Sequence, residues 1–199
     1  MTTVWLTARG AGLATLVLLT LSTCIGALVS GPGQSGLRVV MQYVHRVAAS
    51  LGLGVLVLHV GTILADSYAH VGVLGAIIPF TSSYRASWVG LGTIAAYTFL
   101  GVAALGFARG RLAGTARGAA IWRGLHSLAY AGWGLAMVHG FMSGTDTPVG
   151  WVRVLYILCG GAVLGSLAAR LAGPPRPDLT RHGRAPRRAV ARIPQEMTR

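Results

Sequence analysis

The chain has 199 residues, 53% of them hydrophobic and only 11% charged. Its 17 basic side chains are all arginine, and the formal net charge is +13. Charged residues make up about a quarter of an ordinary soluble domain, so this is not a soluble globular sequence. The arginines lie at the ends of apolar blocks and in the tail, where membrane topology and anionic lipid account for them without nucleic acid.

Five apolar blocks each supply the ~20 residues that a bilayer-crossing helix needs. The first is expected over residues 8–30, with no ionisable residue in its interior and a Ser30-Gly31-Pro32-Gly33 stop. The second, residues 37–65, carries His45 and His59, with Arg38 and Arg46 towards its start. Gly52, Gly54 and Gly61 run along it, a costly choice in a helix that close approach of another helix or a flat macrocycle would explain. The piece from Val71 to Phe80 is too short to span and is broken by Pro79, which suggests an interfacial or re-entrant segment. His70 begins it and reads as a solvent-edge histidine.

The third span is expected over residues 86–108, with Tyr84 and Trp88 as interfacial aromatics. A basic loop with Arg109, Arg111 and Arg117 follows. The fourth span, residues 119–142, carries His126 and His139, with Arg123 just before the first and Gly132 and Gly134 between them. The fifth covers residues 151–171. Residues 172–199 are rich in Pro and Arg and read as a disordered tail. The two cysteines, Cys24 and Cys159, form neither a CxxC pair nor a CxxCH haem-attachment motif.

With five spans the 1–2 loop, the 3–4 loop and the tail share one side. That side collects Arg38, Arg109, Arg111, Arg117 and the tail arginines, against Arg9, Asp66, Arg85 and Asp146 opposite. The positive-inside rule then puts the N-terminus outside and the C-terminus in the cytoplasm of a multi-pass cell-membrane protein.

Spans 2 and 4 run in the same direction, so His45 and His126 share one depth and His59 and His139 the other. The spacings of 14 and 13 residues correspond to rises of ~21 and ~20 Å. Ionisable residues inside a span are costly and usually functional, and a neutral imidazole is a good axial ligand to haem iron. The four histidines are therefore read as ligands to two stacked haems, His45 and His126 holding the inner iron and His59 and His139 the outer. A 14-residue step returns to within about 40° of its starting direction, whereas 13 residues miss by about 140°, so span 4 must be distorted between its histidines. Arg46 and Arg123 are candidate partners for haem propionates, or else basic anchors at the interface. Hydrogen bonding between helices is the plainer role for the histidines.

This bis-histidine pattern, strongest over residues 122–140 (WRGLHSLAYAGWGLAMVHG), resembles the ferric reductase-like transmembrane domain superfamily. That group includes NADPH oxidases, ferric reductases and the haem-bearing membrane subunit of a bacterial methionine sulfoxide reductase system. The resemblance covers spans 2 to 4. It implies two haem b groups and electron transfer across the membrane. No flavin or nicotinamide domain fits in the residues after span 5. The donor expected is thus a separate cytoplasmic flavoprotein reductase or a membrane quinol, with an acceptor at the outer face.

The fold class expected is an all-α integral membrane protein. A five-helix bundle over residues 1–171 binds two haems between helices 2 and 4, and a basic tail covers residues 172–199. A quinone-linked cytochrome b subunit and a haem-free membrane scaffold or transporter helper are the alternatives.

Overall fold

The computed structural model describes residues 3–29, 35–66 and 69–172. Among them the regular structure is entirely helical: α1 (Thr3–Val29), α2 (Ser35–Ala65), α3 (Gly72–Ile77), α4 (Ala86–Phe107), α5 (Arg109–Leu112), α6 (Ala116–His126), α7 (Leu128–Ser143) and α8 (Gly150–Ala172). The expected Ser30–Gly33 stop and the tail beyond Ala172 lie outside the described residues.

Among the described residues, four helices are long and apolar enough to cross a membrane: Thr3–Val29, Gly36–Ala65, Ala86–Phe107 and Gly150–Ala172. Their outward surface carries large apolar side chains such as Val57, Leu100, Phe107, Ile157 and Leu164. These features mark a membrane protein, in which lipid rather than packing covers the apolar faces.

The remaining expected span, residues 119–142, is made of two helices, α6 and α7, neither long enough to count alone. They meet at Ser127. The Ser127 amide still donates to Arg123 O at 3.0 Å, but the Tyr130 amide donates to Ser127 O at 3.1 Å, a bond one residue shorter than the α-helical one. The Ser127 hydroxyl donates to Gly124 O at 2.6 Å and competes for the local carbonyls. A 3₁₀ turn rotates ~120° and rises ~2.0 Å per residue, against ~100° and ~1.5 Å in an α-helix. The break between His126 and His139 thus recovers part of the rotation and height that 13 residues lack.

Two antiparallel hairpins build the core. In one, α2 packs on α1. In the other, α6 and α7 pack on α4. Trp122 Nε1 donates to Leu105 O at 2.8 Å and ties α6 to α4. Trp133 Nε1 donates to Thr20 Oγ1 at 2.8 Å and ties α7 to α1. α8 lies outside this pair of hairpins, against α1, where Val152, Tyr156, Cys159 and Val163 join Leu16, Leu19, Phe99 and Trp133 in the main core. α2 and the α6–α7 arm lean on their own partners rather than on each other, so space is left between them.

The short α3 is the expected non-spanning piece. His70, Gly72, Phe80 and Arg85 around it all have positive φ. Phe80 lies over Gly90 of α4, where a Cβ would come within 2.3 Å of the phenyl ring. Glycine at 90 is what lets the loop close onto α4.

Candidate functional site

Two cavities lie in the space between the hairpins. One, of about 630 Å³, is lined by His45 and His126. The other, of about 220 Å³, is lined by His59 and His139. Tertiary folding therefore pairs the histidines by depth, as the spacing requires. Leu19 and Phe99 line both cavities and form the wall between them.

Three of the four histidines are held from behind by a hydrogen bond to a neighbouring helix. His59 Nδ1 donates to Ala8 O of α1 at 2.7 Å. His45 Nδ1 donates to Ser22 O of α1 at 2.8 Å, with Ser22 Oγ 3.0 Å away. His139 Nδ1 donates to Trp88 O of α4 at 2.8 Å. A carbonyl oxygen only accepts, so each of these rings carries its proton on Nδ1 and leaves Nε2 as a bare lone pair. This is how proteins commonly set the tautomer of a metal-ligating histidine. His126 Nδ1 is buried and makes no hydrogen bond of normal geometry. The Val102 backbone of α4 lies beside it. Its ring stacks on Trp122, with centroids 4.8 Å apart and planes 17° apart. Arg109 in turn lies 5.2 Å over the Trp122 ring.

A glycine lies four residues after each carbonyl, and the histidine ring rests on it. A Cβ built at Gly12 would be 3.0 Å from His59 Cε1, and one at Gly26 would be 3.1 Å from His45 Cε1. At Gly92 it would be 2.6 Å from His139 Nδ1, and at Gly106 3.8 Å from His126 Cε1. The carbonyl is already the acceptor for the glycine's own amide in the helix. The missing side chain is what lets an imidazole reach the same oxygen.

These positions repeat. Ala8, Gly12, Leu19, Ser22, Gly26, Gly52, Leu53, Gly54 and His59 become Trp88, Gly92, Phe99, Val102, Gly106, Gly132, Trp133, Gly134 and His139, each 80 residues further along. His45 and His126 are one residue out of step, at the Ser127 break. The two hairpins are thus one design used twice, with glycines on the first helix and histidines on the second. Sequence reasoning had missed the four supporting glycines, although their 14-residue spacing on α1 and α4, equal to that of His45 and His59, was a readable signal.

The rings of His45 and His126 have centroids 6.2 Å apart and planes 67° apart. Among the described residues no three or more His, Cys, Asp or Glu side chains converge, so no bare-ion site of three protein ligands is formed. Of the two arginines named from sequence, Arg46 lines the His45–His126 cavity, whereas Arg123 is exposed and does not; Arg109 lines it instead. His70 is exposed and lines neither cavity. Trp133 is a buried core residue. Tyr130 is partly buried and accepts from Arg170 Nη1 at 3.0 Å.

No family model, curated protein or solved structure matches this chain.

Proposed function

We propose that this chain is a di-haem b membrane protein that relays electrons between the two membrane faces. His45 and His126 ligate the inner iron, and His59 and His139 the outer. The observation that carries the reading is the two histidine pairs, each lining its own cavity, with His45, His59 and His139 back-bonded through Nδ1. His45 and His126 would hold the inner haem; their ring centroids lie 6.2 Å apart across the cavity they line. The glycines under the rings keep the helices close enough to hold them. When bound, haem would supply one-electron redox chemistry.

The chain's own side chains set the geometry of this relay. The Nδ1 bonds fix the tautomer and direction of His45, His59 and His139, while His126 is oriented by its stack on Trp122. Arg46 and Arg109 line the inner cavity and would offer their guanidinium groups to the inner propionates. Leu19 and Phe99 line both sites and lie between them.

The α6–α7 arm completes a fifth crossing, with the N-terminus outside and the C-terminus in the cytoplasm. Arg46, Arg109, Arg111, Arg117 and Arg123 then gather at the inner face, in agreement with the positive-inside rule. Electrons enter from a separate cytoplasmic reductase or a membrane quinol and leave to an acceptor outside.

The test is a reduced-minus-oxidised visible spectrum with pyridine haemochrome quantification, on wild type, His59→Ala and His126→Ala. Two haem b per chain with low-spin spectra, disturbed in each variant, is the expected result. Wild-type protein that stays colourless after expression with ample haem would refute the reading and favour a haem-free scaffold.

A further inference from the structure

The two cavities differ in how they meet charge. Towards the His45–His126 cavity the wall offers Arg46 and Arg109. Among the described residues lining the His59–His139 cavity, Arg9 is the one arginine, and Asp146 is the one carboxylate. They are ion-paired to each other: Arg9 Nε and Nη2 engage the two Asp146 carboxylate oxygens. Their side chains are only 22% and 18% exposed. Arg9 follows directly on Ala8, whose carbonyl anchors His59. Asp146 is in the loop between α7 and α8, past the end of the helix that carries His139. The pair therefore fastens the start of the α1 anchor to the end of the α7 arm, at the mouth of a largely apolar cavity.

We infer that Arg9 is the propionate anchor of the outer haem, and that Asp146 is the positioning residue that holds the guanidinium at the cavity mouth. The inference rests on the di-haem reading. A haem b is an apolar disc with two carboxylates on one edge, so the disc belongs in the apolar depth and the carboxylates at a polar mouth. At this mouth Arg9 is the one guanidinium among the described lining residues, and it would meet a propionate beside its pair with Asp146. A partly buried cation with no counter-charge is costly, and Asp146 removes that cost before haem arrives. It also makes the charges near the outer iron separable. Arg9 favours the reduced state of the nearby iron, because a positive charge opposes the extra positive charge of the ferric state. Asp146 favours the oxidised state.

The test is a spectroscopic redox titration of the purified full chain, wild type against Arg9→Gln, Arg9→Lys and Asp146→Asn, with haem counted per chain. Arg9→Gln is expected to lower the midpoint potential of the outer haem or to lose that haem. Asp146→Asn is expected to raise the same potential, and Arg9→Lys, which keeps the charge without the planar guanidinium, to hold the potential near wild type while retaining less of that haem. The inner haem is expected to stay unmoved in all three. A clamp without a haem role gives a different pattern: Arg9→Gln and Asp146→Asn lower the melting temperature alike and leave both potentials where they were. That result overturns the inference while leaving the di-haem reading intact. Wild-type protein without haem removes the reading itself.

Discussion

Gly92→Ala is the sharpest test of how the histidines are held. The added methyl would lie 2.6 Å from His139 Nδ1, 2.7 Å from Cε1 and 2.8 Å from Cγ, well inside the ~3.5–4.0 Å of a relaxed carbon contact. The ring cannot simply slide, because Nδ1 is fixed to Trp88 O at 2.8 Å on the same helix. Making room breaks that bond, at ~1 kcal/mol, and adds overpacking of ~1–3 kcal/mol. The better helix propensity of alanine returns up to ~1 kcal/mol. The net expectation is destabilisation by ~1–3 kcal/mol, a drop of several degrees in melting temperature for a chain of this size. Gly106→Ala is the control, because there the nearest ring atom is 3.8 Å away, an ordinary contact. It should be neutral or slightly stabilising. Thermal melting in detergent and haem per chain read both variants. Gly92→Ala should lose the His59–His139 haem and keep the other, while Gly106→Ala should keep both. Gly92→Ala protein with wild-type melting and two low-spin haems would refute the reasoning.

Trp133→Phe removes the bond from Nε1 to Thr20 Oγ1 inside the core and should cost ~1–3 kcal/mol, seen as a lower melting temperature; an unchanged one would mean the bond to α1 contributes nothing. Arg46→Ala should weaken retention of the inner haem, because Arg46 lines that cavity, whereas Arg123→Ala should leave haem content unchanged. Equal effects from the two would show that cavity lining does not decide which arginine matters.

The sequence by itself determined that the chain is a membrane protein and which histidines share a depth. Length and apolarity are local properties, and the 14- and 13-residue spacings convert directly into height along a helix. It also required a distortion in residues 119–142, because 13 residues cannot bring two side chains to one face of a straight α-helix. Where that distortion falls was decided by the fold: the Ser127 hydroxyl takes the Gly124 carbonyl and a 3₁₀ bond follows at Tyr130. Only the tertiary structure decided what stands behind each histidine. Ala8, Ser22 and Trp88 offer backbone carbonyls, which every residue has, so no side-chain pattern marks them. The glycines that open the way to them, Gly12, Gly26, Gly92 and Gly106, are visible in the sequence, but among 29 glycines they gain meaning only once α1 is known to pack on α2 and α4 on α7. The arginines divide for the same reason. Arg46 and Arg123 look alike beside their histidines in the sequence, yet helix rotation turns one to the cavity and the other outward, while Arg109 and Arg9 reach the cavities from other helices.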